Sequence, residues 1–120
     1  MIEMLDGFPE TVLAFSAKGR VTRRDYDEVL VPVIEAALRR YDKLRLYYEL
    51  GPDMTGFDAG AMWEDFKIGM GHWSRWGRVA VVTDIDWMRH AVSAFRFIMP
   101  EQVRVFASAQ AAEAREWIVG

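Results

Sequence analysis

The 120 residues contain no cysteine, which excludes a disulfide framework, a thiolate metal site and a cysteine nucleophile. Histidine is nearly as scarce, with only His72 and His90, far apart in the chain. There is no phosphate-binding glycine loop and no nucleophile elbow. No apolar run approaches the roughly 18 residues that a membrane span needs, and the start "MIEMLDGFPE" has no basic region leading into an apolar one. A cytoplasmic protein without a transmembrane segment is the default expectation. Positive charge is not concentrated in any segment: 15 Lys and Arg stand against 18 Asp and Glu, a net charge of −3. Nucleic acid is therefore not an expected partner.

What the chain has in quantity is large apolar side chains. Apolar residues make up 52%, with five Trp, seven Met and seven Phe. That composition is globular and rich in core, and the length suits one domain over residues 1–120 without metal or cofactor.

The pattern along the chain alternates between periods of two and of about 3.6 residues. Ile2 to Leu5, the turn residues "DGFPE" and the stretch Thr11 to Gly19 predict two strands joined by a turn. Thr22, three residues before Asp25, opens a helix in the manner of a capping box. Tyr26, Val29, Leu30, Val33, Ile34, Ala37, Leu38 and Tyr41 then mark one helical face. Pro32 falls opposite that face, which predicts a bend and not a stop. Lys43 to Leu50, "KLRLYYEL", alternates Leu44, Leu46, Tyr48 and Leu50 against Arg45, Tyr47 and Glu49, a strand with one face well buried.

A loop through "GPDMTGF" leads to Asp58, able to cap a second helix with Ala59, Met62, Trp63, Phe66, Met70 and Trp73 on one face. Gly69 and Gly71 weaken its far end by about 1 kcal/mol each. The unbroken apolar run Val79 to Val82 predicts a strand covered on both faces at the centre of a parallel sheet. Asp84 or Asp86 can cap a third helix that ends at Pro100. Gln102 to Ser108 predicts a strand, and Ala109 to Val119 a last helix with Trp117 and Ile118 facing inward. The order β-β-α-β-α-β-α-β-α implies an α/β fold with a mixed, mostly parallel five-stranded sheet, its first strand antiparallel to the rest, and about four helices.

That order resembles the anti-sigma-factor antagonists and related STAS domains. Three stretches, "TRRDYDEVLVPVIEAAL", "WEDFKIGMGHWSRWGRVAVVTDIDW" and "FRFIMPEQVRVFASAQAAEAREWI", are most similar to the SpoIIAA-like branch of small bacterial proteins. The resemblance implies a STAS-like single domain. In antagonist relatives the loop after the third strand carries a phosphorylated serine or threonine in an Asp-Ser-Ser-Gly-like motif. Here "DMTG" keeps Asp53 and Gly56, offers Thr55 as its hydroxyl, and places Met54 where a small residue stands in the family. The resemblance also extends to domains that carry lipids between helices and sheet, which implies an apolar ligand or contact with a membrane surface.

Two site hypotheses follow. A regulatory loop of Asp53, Thr55, Gly56 and Asp58, with Asp84 from the next strand end, lies where open α/β sheets bind ligands. A phosphate on Thr55 would suit a helix N-terminus. The plainer alternative is that these residues build a turn and cap helices. An apolar ligand site of Met62, Trp63, Phe66, Met70, Trp73 and Trp76 is the second hypothesis, because Met-rich surfaces repack around varied partners. Those side chains serve equally as plain core, and His72, Trp73, Arg75 and Trp76 equally as a loop that closes the core.

The function expected is a non-enzymatic binding module for a small apolar or lipid-like ligand, a membrane surface or a protein partner. The alternative is an antagonist-type regulator switched at Thr55. Self-association into a homodimer through exposed side chains such as Ile68 or Phe97 is expected as well.

Overall fold

A computed structural model describes residues 1–51, 56–57, 76–86, 89–90 and 103–120. Its strands are β1 (Ile2–Met4), β2 (Val12–Ala17), β3 (Arg20–Val21), β4 (Leu44–Leu50), β5 (Gly56–Phe57), β6 (Trp76–Thr83) and β7 (Val103–Phe106). A first helical stretch runs from α1 (Arg23–Asp25) through a π-helical turn, Tyr26–Leu30, into α2 (Val31–Arg40). A 3-10 turn, Ser108–Gln110, leads into α3 (Ala111–Val119).

The main sheet has the order β1-β2-β4-β6-β7. β1 is antiparallel to β2, with Ile2 opposite Ala17, and every other pairing is parallel. This is the mixed sheet that the element order implied. β6 lies inside it, between β4 and β7, but the middle place belongs to β4, because the opening hairpin adds β1 outside β2. A second sheet of β3 and β5 pairs Arg20 with Gly56 and Val21 with Phe57. At two residues each, these strands are too short for alternation to reveal them. Gly19, at φ +58°, makes the turn from β2 into β3 in a conformation that glycine adopts without the steric cost of a side chain.

Of the four expected helices, the first and last are among the described residues. The second, from Asp58, and most of the third lie outside them. Asp86, Arg89 and His90 are helical, and the Arg89 N–H donates to the Ile85 carbonyl at 3.0 Å. No helix among the described residues is long and apolar enough to cross a membrane.

Both faces of the sheet are packed. On one, Phe15, Leu44, Tyr48 and Leu50 meet Leu30 and Ile34 of the first helical stretch. On the other, Ala14, Tyr47, Val82 and Phe106 meet Ala114 and Ile118 of α3. The alternation in β4 marked only its leucine face as well buried. Tyr47, on the opposite face, is fully buried too, because α3 and Phe8 close over it, with the Phe8 ring 5.0 Å from its own. Each large aliphatic or Phe side chain among these contributes about 1.5–3 kcal/mol by leaving water.

The helix ends are tied by named groups. The Thr22 N–H and hydroxyl donate to Asp25 Oδ2 at 2.8 and 3.0 Å, and the Asp25 N–H reaches Thr22 Oγ1 at 3.3 Å, the reciprocal cap that the spacing predicted. Pro32 is exposed, opposite Ile34 and Leu38, as expected. The chain stays helical through it, and the accommodation takes the form of the wider π-helical turn just before the proline. Pro32 has no N–H to give and its ring crowds the preceding turn, so a locally widened helix relieves both conflicts. At the end of α3, carbonyls without helical partners accept from strand arginines. Arg45 Nη1 reaches Ile118 O at 2.8 Å and Gly120 O at 3.3 Å, and Arg78 Nη1 reaches Trp117 O at 2.6 Å.

Replacing Ile118, which is fully buried, by alanine is expected to cost about 2–5 kcal/mol in urea unfolding. Val119→Ala, one residue on and 48% exposed, should change stability by less than about 0.5 kcal/mol. A second expectation concerns acid. Burial works against the charge on Asp25, but hydrogen bonds from Thr22 and the Met1 ammonium at 3.5 Å hold its carboxyl below the usual range. A carboxylate with a lowered folded pKa stabilises the fold above its unfolded value of about 3.9, and that contribution is lost as pH falls through the folded value. Urea midpoints measured from neutral pH into acid should therefore fall less steeply for Asp25→Asn than for the parent chain.

Candidate functional site

Because β2, β4, β6 and β7 run parallel, Ala17, Leu50, Thr83 and Phe106 all end at one edge of the sheet. Ligands of open α/β sheets bind at this edge. Thr83 is fully buried there: its hydroxyl accepts from the Ile85 N–H at 3.1 Å, and its carbonyl accepts from Arg89 Nη1 at 2.9 Å. Asp84 is exposed, and its Oδ1 accepts from the Ser108 N–H at 3.0 Å, stitching the end of β6 to the turn after β7. The hydrogen bonds from Ser108, with the Arg89 charge as a smaller influence, hold the Asp84 carboxyl below the usual range. Gln110 Oε1 accepts from the Ala107 N–H at 2.9 Å and braces the same turn.

The chain after β4 is also anchored. Gly56, the last residue of the "DMTG" stretch, lies in β5 and pairs with Arg20 of β3, so the loop from Gly51 is fastened within five residues of leaving the main sheet. Asp53, Thr55, Asp58, Met62, Trp63, Phe66, Met70 and Trp73, together with Ile68 and Phe97, lie outside the described residues. Trp76, expected in a loop beside the ligand stripe, opens β6 and pairs with Leu44. Asp84 follows the other end of that strand, about 25 Å away along extended chain. Of the expected site residues, then, the structure sets Gly56 and Asp84 after the ends of β4 and β6 and puts Trp76 at the beginning of β6. Among the described residues no group of three His, Asp or Glu side chains could hold a metal ion.

The opposite edge holds a feature that the linear charge distribution hid. Arg45, Arg78 and Arg104 come from three neighbouring strands and share the face covered by α3, which adds Arg115. Aromatic rings carry three of these guanidinium groups: Arg78 and Arg104 lie 5.2 and 5.4 Å from the Trp117 ring, Arg104 also 5.1 Å from Phe106, and Arg115 5.2 Å from Phe8. The signal available in the sequence was an arginine within the first three residues of each of these strands, on the same alternating face as the residues beneath α3.

A family model for SpoIIAA-like proteins matches residues 12–119, from the first residue of β2 to the last of α3. Among solved structures, an uncharacterized protein of the DUF3478 family from Shewanella loihica PV-4, described as having a SpoIIAA-like fold, is similar with a TM-score of 0.73 and 24% sequence identity. That similarity covers 98% of this chain and 92% of the other and bears on the fold alone. No curated protein matches the chain. A family match that takes in the parallel core of the sheet and the helices packed on both of its faces leads to one assignment: the chain belongs to the SpoIIAA-like family.

Proposed function

We propose that this chain is a non-catalytic binding module of the STAS type whose contact surface is the edge formed by the ends of β4 and β6. The loop from Gly51 to Asp58 and the apolar positions Met62, Trp63, Phe66, Met70 and Trp73 supply the contact, and the bound species is a small apolar or lipid-like molecule. The observation that carries this reading is the commitment of the polar groups at that edge. Asp84 is engaged with the Ser108 N–H, the Thr83 hydroxyl with the Ile85 N–H, and Arg89 with the Thr83 carbonyl. Groups spent on backbone partners build a rim, whereas acid–base work needs a carboxyl poised near neutral pH. Asp84, held low by Ser108, is charged at neutral pH and unsuited to donate a proton.

A switch at Thr55 is the competing reading. Gly56 and Phe57, between Thr55 and Asp58, are extended and paired with β3. That pairing fixes the end of the loop beside β3, as a contact surface requires. This favours the contact role for the loop.

Native mass spectrometry of freshly purified protein is expected to show a non-covalent adduct of lipid or metabolite mass that disappears on denaturation, and the same spectrum reports any homodimer. A bare protein would count against the ligand-binding reading. Thr55→Glu should leave the adduct unchanged; its loss would favour the switch. Asp84→Asn, which keeps an acceptor for the Ser108 N–H, should retain the adduct as well. Because the folded pKa of Asp84 is lowered, its stabilising contribution is present above about pH 4 and fades as pH falls further. The asparagine variant should lose that part of the acid dependence in urea titrations.

A further inference from the structure

Arg45, Arg78 and Arg104, distant in the sequence, come together on the face under α3, toward the edge of the sheet opposite Asp84. Arg45 and Arg78 each spend donors on the last carbonyls of α3, which offsets part of their charge. Arg104 is different. It is exposed, and its guanidinium is held over two rings, Phe106 and Trp117, while Arg78 lies over the same indole. Stacking on a ring uses the flat face of a guanidinium and leaves its in-plane N–H donors available. Among the described residues, no carboxylate is seen in an ion pair with Arg78, Arg104 or Arg115, whereas Lys18, Arg24 and Arg40 each have one. Among the described residues, two cations therefore share one indole with no carboxylate paired to either, in a protein whose net charge is negative.

We propose that Arg104 and Arg78, steadied on Trp117, form a binding site for a phosphate group. A free or monoester phosphate carries about 1.5 to 2 negative charges at neutral pH and at least three acceptor oxygens, so it answers both guanidiniums, whereas one carboxylate answers one. The ring contacts hold Arg104 before the ligand arrives, which reduces the ordering that binding would otherwise require. The site lies at the other edge from the proposed apolar contact surface and does not depend on it. Its phosphate is either free or part of an anionic lipid headgroup.

The test uses the full chain at low salt and neutral pH, with two probes: inorganic phosphate by isothermal titration calorimetry, and co-sedimentation with phosphatidylcholine vesicles with and without phosphatidic acid, whose headgroup is a phosphomonoester. Arg104→Gln is expected to weaken binding about tenfold, and Arg104→Lys, which keeps the charge without the fork, by less. Arg24→Gln, which removes an exposed charge on α1 across the sheet, should bind as the parent does. Added salt should reduce binding. Binding of inorganic phosphate with this pattern supports a free phosphate group as the ligand; binding only to the phosphatidic acid vesicles, again lost in Arg104→Gln, supports a lipid headgroup. No binding to either probe, unchanged binding by Arg104→Gln, or an equal loss in Arg24→Gln would overturn the proposal.

Discussion

β4 has no free side. It pairs with β2 along one edge and β6 along the other, and it packs side chains into a core on each face, Tyr47 into one and Tyr48 into the other. A strand enclosed in this way dictates much of its surroundings. Parallel neighbours on both edges require long crossovers, because a tight turn can join only antiparallel strands. Two buried faces require a covering layer on each, which the first helical stretch and α3 provide. Strands that run the same way also end together, so one edge of the sheet gathers chain ends and backbone donors while the other gathers chain beginnings. The chemistry of the two edges follows from that arrangement.

α3 bridges those edges. Its approach is braced where Asp84 holds the Ser108 N–H, and its far end is gripped where Arg45 and Arg78 take up its last carbonyls. The helix is only nine residues long, too short to be stable by itself in water. Its stability comes from the buried Ala114 and Ile118 and from these two attachments.

The parts of the fold legible in the sequence are those in which burial repeats. Leu30, Ile34 and Leu38 marked one helical face, the alternation in β4 marked a strand, and the run Val79 to Val82 marked a strand enclosed on both faces; each is present. What depends on partners distant in the chain was not legible. Asp84 could be named as a residue at a strand end, but Ser108 is 24 residues away and comes within reach only because β6 and β7 pair. The arginine face needs more still. Whether Arg45, Arg78 and Arg104 share a side depends on strand register, including the shift between Leu44 and Leu46, and no single strand contains that information. The brief β3–β5 pairing left no periodic trace at all.

The π-helical turn from Tyr26 to Leu30 has a consequence for how this sequence can change length. Such a turn holds about one residue more than the α-helix it interrupts, and each residue rotates an α-helix by about 100°. A π-turn absorbs its extra residue locally, so the capped start at Thr22 and Asp25 and the buried face of Leu30, Ile34 and Leu38 keep the phase of a regular helix one residue shorter. A relative lacking one residue between Asp25 and Val31 could keep a regular helix there. Its cap and its apolar face would then keep the orientations they have here. In an alignment of such chains, a single-residue gap in this segment would therefore mark the loss of the widened turn, and the residues on its two sides would remain equivalent in three dimensions.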